Sequence, residues 1–294
     1  MQSDRTPDDA PDQALSDAEV DELTRTVREA RRSGRTLTAR SASRPLSLAD
    51  AYRVQARLTA ARLADGERRI GWKLGYTSRA MREQMGVDAP NFGPLTDVML
   101  LPDGGRVPAC ALQPRVEPEL AVVLGETASQ LASSLASLAA RADPAGLGDA
   151  GLDDAALELA AGAVSTVRAA LEVVDSVWTG YRFRLEDNTA DGSSAAWFVL
   201  GPPLPSDGLP DVAVELSSAS SAVLTGSGAD ADGHPLRGLA WLALRLAERD
   251  ERFHPGDVVI TGGLTRAVPL DGRVTARFTP RGSAAVEVSV QPPQ

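Results

Sequence analysis

The sequence predicts an α+β protein, with a helical N-terminal portion at residues 15–66 and a β-rich body at residues 67–294. Three observations support this class. Apolar residues recur at helical spacing before Gly66. After it, "RIGWKLG", "RVTARFT" and "AAVEVSV" alternate with a period of two. Strands and helices do not alternate regularly in the body, so a doubly wound parallel sheet is not expected.

The elements follow in order. Residues 1–14, "MQSDRTPDDAPDQA", are acidic and Pro-rich and read as a disordered tail without the apolar centre of a signal peptide. Ser16 and Glu19 form a capping-box pattern. Val20, Leu23, Val27 and Ala30 then mark the buried stripe of a first helix that stops at Gly34. A second helix is expected from Ser47 to Gly66. "RIGWKLG" reads as a strand, "SRAMREQMG" as a short helix capped by Thr77, and "ELAVVL" as the buried half of another strand. Residues 126–160 are Ala/Ser/Leu-rich around a Gly/Pro/Asp centre. They read as an insertion of two helical pieces on the surface of the body. "ALEVVDS" and "YRFRLED" are expected as strands, and "VAVELSS" with "SAVLTGSG" as a strand pair. "PLRGLAWLALRLAERD" is an amphipathic helix, and "DVVITGGLT" begins the closing strands.

Composition narrows the function. The formal net charge of −10 argues against nucleic acid or an anionic membrane as partner. No apolar run approaches the length of a membrane span, so a cytoplasmic protein is expected. Cys110 is the one cysteine, which excludes an intramolecular disulfide and a thiolate-based metal site. The two histidines, His234 and His254, fall in no His-Glu-x-x-His pattern, and there is neither a Gly-x-Ser-x-Gly nor a Walker motif. "DADG" lacks the bidentate Glu of a calcium loop and reads as a turn.

The chemistry concentrates in "RVEPELAVVL". Residues two apart in a strand share a face, so Arg115, Glu117 and Glu119 point the same way. Two carboxylates roughly 6 Å apart repel by about 3 kcal/mol at an effective dielectric near 20. The face is therefore wet, or one Glu is protonated, or a cation sits there. A hard divalent cation would want a third oxygen ligand, and Glu172 and Asp175 in "ALEVVDS" both offer one. Lys73 lies between Gly71 and Gly75. It is either a buried base with a lowered pKa, fit for proton transfer, or a snorkelling surface lysine. Ser193 and Ser194 are either carboxylate binders or helix caps.

"GWKLGYTSRAMREQMGV", "FGPLTDVML", "QPRVEPELAVVLG", "ALEVVDS", "LEDNTADGSSAAWFVLG", "LAWLALRLAE" and "GDVVITGGL" occur in this order over more than 200 residues. As an ordered set they resemble the hydratase/decarboxylase branch of the fumarylacetoacetate hydrolase superfamily. The resemblance implies a mixed β barrel or roll and a magnesium or manganese ion held by Glu117, Glu119 and Glu172, leaving Asp175 in support. It further implies roles for Lys73, for Arg115 as the pocket arginine and for Ser194 as the substrate-binding serine. The implied activity is that of a lyase, hydrating or decarboxylating an unsaturated 2-oxo or 2-hydroxydienoic acid through a metal-stabilised dienolate. Homo-oligomers, and a complex with a homologous enzyme, are also implied. Hydrolysis of an acylpyruvate carbon–carbon bond and a non-catalytic partner subunit are the alternatives. Two positions depart from the pattern. Asn91 stands where hydratases carry an Asp that helps activate water, which shifts the balance toward decarboxylation. Gly192 replaces an Asn whose amide could hold the pocket wall.

Overall fold

The computed structural model describes residues 14–78, 82–83, 86–87, 89–141 and 149–294. The expected tail through residue 13, most of the short helix after Thr77 and the centre of the 126–160 insertion lie outside the described residues.

Helix α1 spans Asp17–Arg32 and α2 spans Leu48–Ala64. Ser16 and Glu19 make the capping box in both directions, and Ser47 caps α2 through the Asp50 amide. α1 ends as expected at Gly34, whose φ of 66° suits a residue without Cβ. The predicted stripe, Val20, Leu23, Val27 and Ala30, is buried. It packs with Ala51 and Val54 of α2 and with Val177 and Trp178 of the body, so the helical portion shares a core with the rest of the chain.

The body begins with β1 (Arg69–Gly75), β2 (Asn91–Thr96), β3 (Leu100–Leu101) and β4 (Arg115–Leu124). Helices α3 (Leu131–Arg141) and α4 (Asp149–Gly162) follow, then β5 (Val164–Val174), α5 (Leu185–Ala190) and β6 (Ala195–Leu204). The chain closes with β7 (Ala213–Ser217), β8 (Leu224–Ser227), α6 (Leu236–Ala247), β9 (Val258–Ile260), β10 (Val268–Pro269), β11 (Val274–Thr279) and β12 (Val286–Val290).

The main sheet runs β2-β1-β9-β4-β5-β6-β3, with β10 also on β4, and it curls. β1–β9 and β3–β6 are parallel and the other pairs antiparallel, so the sheet is mixed. A second sheet, β12-β11-β7-β8, packs behind it. The alternation in β4 explains its two faces. Val116, Leu120 and Val122 join the main core with Leu239 and Leu242 of α6 and with Val214, Ala276 and Phe278 of the second sheet. The other face of the curl carries the Glu side chains above a smaller core of Ala121, Ala170, Phe198 and Ile260.

Two expectations need correction. "YRFRLED" is no strand: a tight turn at Thr179–Tyr181 leads into α5. Asp187 accepts from the Arg184 amide and also from the Ser41 amide, and these bonds favour a helix start over a ladder. The insertion is also more than surface decoration, because Leu131, Leu135 and Ala160 are buried in the main core.

Candidate active site and metal centre

The register between β4 and β5 builds the site. Glu117 pairs directly with Glu172, and Glu119 pairs with Ala170. Cross-strand partners point to the same face, so Glu172 joins the Glu117 and Glu119 face. One carboxylate oxygen from each of the three lies within 4.8 Å of the others. β1 and β9 complete the lateral row: Lys73 pairs with Ile260, and Ile260 with Ala121. Lys73 thereby reaches the same face, with Nζ 3.0 Å from Glu172 Oε2.

Glu119 and Glu172 are fully buried, Lys73 is 4% exposed, and Glu117 is half-buried. Glu119 Oε2 accepts from the Gly262 amide at 2.6 Å. Glu119 Oε1 and Glu172 Oε1 are buried without any hydrogen-bond partner. Orphaned anionic oxygens are expensive to bury. An all-carboxylate donor set with free lone pairs fits a hard divalent cation such as magnesium or manganese.

The electrostatics follow from this crowding. Burial raises the Glu117 pKa to about 7, with a contribution from Glu172 and against the pull of Lys73. Burial, then Glu172 and Glu117, push Glu119 well above the ordinary carboxylate range. Burial on its own pulls Lys73 down, but Glu172, Glu117 and Glu119 outweigh it and its pKa ends raised. This reverses the expectation of a lowered lysine: a buried base beside three carboxylates is held protonated.

These groups open into a cavity of about 370 Å³ lined by Lys73, Glu117, Arg115 and Ser194. Arg115 lies over the Tyr181 ring, 4.7 Å from its centroid. Tyr181 in turn donates its hydroxyl to the Val174 carbonyl at 2.9 Å. Asp175 takes no place among the carboxylates. It accepts from the Leu112 and Gln113 amides at 3.0 and 2.7 Å and so fixes the segment leading into Arg115.

Ser193 and Ser194 occupy a tight turn after α5. The Ser193 carbonyl accepts from Lys73 Nζ at 3.1 Å, and Ser194 Oγ accepts from Asn188 Nδ2 at 2.8 Å. Neither serine is the helix cap that sequence alone allowed. The glycines of β1 and β2 admit this turn. A Cβ on Gly93 would meet the Gly192 carbonyl oxygen at 2.0 Å, and one on Gly75 would meet Asn91 Oδ1 at 2.3 Å. Gly192 has a φ of 74° and open space around its missing Cβ. It is a left-handed turn residue and not a gap in the pocket wall.

Asn91 is placed differently from the expectation. It is fully buried behind the turn and is not among the residues lining the cavity. Sequence reasoning also missed cavity residues, among them Tyr76, Asn188 and Arg266. Burial raises the Tyr76 phenol to about 12, against the pull of Lys73. Tyr76, Tyr181, Ser193 and Ser194 all line the cavity with left-handed backbones, at φ of 55°, 59°, 58° and 55°. Strained non-Gly residues of this kind collect at functional sites. No sequence pattern announces them, although Asn188 does lie in the "LEDNTADGSS" segment.

No protein-family model matches the chain. Known proteins nevertheless match it along most of its length. A 2-keto-4-pentenoate hydratase of Burkholderia vietnamiensis strain G4 is 35% identical over 268 residues, covering 86% of this chain and 94% of that protein. A 4-oxalocrotonate decarboxylase of a Pseudomonas species is 29% identical over 260 residues, covering 88% and 93%. The structure of 4-oxalocrotonate decarboxylase from Pseudomonas putida G7, complexed with magnesium and adipate, superposes with a TM-score of 0.78 at 28% identity, covering 96% of this chain and all of that one. With the ordered motifs, the curled mixed sheet and the three-carboxylate centre in place, the chain belongs to the hydratase/decarboxylase branch of the fumarylacetoacetate hydrolase superfamily.

Proposed function

We propose that the protein is a divalent-metal-dependent lyase that decarboxylates or hydrates an unsaturated 2-oxo or 2-hydroxydienoic acid. The observation that carries this reading is the convergence of Glu117, Glu119 and Glu172 beside buried Lys73 at one end of an open cavity. The three carboxylates would hold the ion. A divalent ion held there supplies Lewis acidity toward the carboxylate and 2-oxo oxygens of the substrate and favours negative charge on the latter.

The chain's own residues account for the rest. Lys73, held by Glu172 and the Ser193 carbonyl, moves protons to and from the conjugated chain. The Ser194 hydroxyl binds the substrate carboxylate. Val174, Phe183 and Ala267 supply apolar wall beside the carbon chain and limit the water that reaches it. Arg115 and Arg266 line the same cavity, and neither guanidinium has a carboxylate partner among the described residues. Both suit an anionic outer end of the substrate.

Decarboxylation is the first choice within this reading. In it the bond to the outer carboxylate breaks, carbon dioxide leaves and one proton is taken up. The two arginines in the cavity wall match a second carboxylate. Hydration is the runner-up, supported by relatives named as hydratases. Acylpyruvate hydrolysis is disfavoured because neither His234 nor His254 lines the cavity. The complete Lys73–carboxylate cluster speaks against a purely non-catalytic subunit.

The test incubates the protein and magnesium with a panel of 2-hydroxydienoates and 2-oxoenedioates. Loss of the ultraviolet chromophore and release of carbon dioxide are followed separately. Carbon dioxide from the dicarboxylates is expected. Turnover of the monocarboxylates alone would assign hydration, and no turnover with metal bound would end the lyase reading.

A further inference from the structure

The turn that carries Ser193 and Ser194 is braced from behind by side-chain amides, and that bracing has a direction. Gly192, Ser193 and Ser194 are consecutive left-handed residues, at φ of 74°, 58° and 55°. Such a backbone persists only where its surroundings over-determine it. Asn91 Nδ2 donates to Asn188 Oδ1 at 3.0 Å and to Thr189 Oγ1 at 2.9 Å. Asn91 Oδ1 accepts from Ser193 Oγ at 2.8 Å. Asn188 Nδ2 then donates to Ser194 Oγ at 2.8 Å. Asn91 is fully buried, whereas Asn188 and Ser194 both line the cavity.

A hydroxyl has one proton to give and two lone pairs to receive with. Asn188 uses one of the Ser194 lone pairs. The Ser194 proton has no acceptor among the described residues, so it is left to donate into the cavity. The direction is inherited from Asn91. Because Asn91 gives N–H to Asn188 Oδ1, Asn188 must turn its own N–H toward Ser194. A carboxylate at position 91 would have no N–H to give. Asn188 would then turn its amide toward the carboxylate and its carbonyl toward Ser194, and the serine proton would be consumed inside the wall.

We propose that Asn91 is a positioning residue that acts through Asn188 to hold the Ser194 hydroxyl as a donor to the carboxylate of a 2-oxo acid. The inference rests on the functional reading above. It also gives the Asn at this position a physical meaning, since an amide and a carboxylate of equal size would set opposite directions along the same path.

The test is a double-mutant cycle read by calorimetry, with pyruvate as the probe in the presence of magnesium. The unaltered chain, Asn91→Asp, Ser194→Ala and the double variant are compared. Each single substitution is expected to weaken pyruvate binding about 10-fold, the size of one lost hydrogen bond to a charged group. Magnesium affinity measured without pyruvate should stay within about threefold for all four. The double variant should bind pyruvate no more weakly than Ser194→Ala alone, because Asn91 acts only through that hydroxyl. Unchanged binding by Asn91→Asp overturns the proposal. So does a loss that recurs in full in the Ser194→Ala background, which marks a merely structural role. Should Asn91→Asp fail to fold, Asn91→Leu replaces it in the same cycle: it withdraws the N–H that directs Asn188 without adding a charge, and the same outcomes decide. If the unaltered chain binds magnesium but no pyruvate, the functional reading itself fails and this proposal with it. Binding by the unaltered chain and Asn91→Asp alike removes the proposal alone.

Discussion

Glu117 and Glu172 face each other directly across the β4–β5 ladder, and Lys73 Nζ reaches Glu172 from three strands away at 3.0 Å. Like charges opposite one another destabilise a sheet. The pairing is tolerable only because protons, Lys73 or a bound cation offset it, and this has measurable consequences.

Glu119→Gln removes one buried anion and one metal ligand together. In chelator the variant should unfold at the same temperature as the unaltered chain or a few degrees higher, since repulsion with Glu172 and Glu117 is relieved. In millimolar magnesium the unaltered chain should gain several degrees through ligand binding, and the variant should gain little. Calorimetric scans with and without magnesium check both arms. An equal magnesium-induced gain in the two proteins would exclude Glu119 as a ligand.

Lys73→Ala separates metal binding from chemistry. Manganese affinity, read by electron paramagnetic resonance, should hold or rise, because the carboxylates remain and the ammonium that competes for Glu172 is gone. Turnover of the preferred substrate should fall by roughly 10²-fold or more. A variant turning over at the original rate would remove Lys73 from the mechanism.

The raised carboxylates predict how stability depends on pH without metal. Glu117 titrates near 7 in the folded chain, against about 4.3 when unfolded. The folded state therefore holds more protons between these values, and stability from this group falls as pH rises through that window. Lys73 is also raised, but its contribution is complete at these pH values and does not alter the trend. Unfolding in chelator should thus show a declining contribution from pH 5 to 7. Magnesium should reverse it, because the ion binds the deprotonated carboxylates. A chelated Glu117→Gln variant with the same pH slope as the unaltered chain would refute the assignment.

Gly93→Ala tests the fit between β2 and the serine turn. The new Cβ would stand 2.0 Å from the Gly192 carbonyl oxygen, so the turn must move. A loss of about 1–3 kcal/mol is expected from such overpacking, seen in denaturant unfolding. Binding of a 2-oxo acid should weaken beyond what stability explains, because Ser194 moves with the turn. Unaltered stability and binding would show that the turn has slack.

Some of this was readable before any fold was known. The capping box at Ser16 and Glu19, the stripe from Val20 to Ala30 and the shared face of Glu117 and Glu119 are local periodicities that depend only on residues a few positions apart. Local setting raised Glu172, Lys73, Arg115 and Ser194 as candidates, and the ordered motifs chose them over their alternatives by resemblance. Tertiary structure decided what local pattern could not. The β4–β5 register set Glu172 opposite Glu117 and sent Asp175 to the Leu112 and Gln113 amides. Long-range pairing brought three carboxylates to Lys73 and turned an expected depression of its pKa into a rise. Packing of the turn against β2 put Asn91 behind the cavity wall and Asn188 in it. Spacing along a chain determines which way side chains point. Register, burial and the neighbours they bring determine charge and hydrogen-bond direction, and those arise only when distant segments meet.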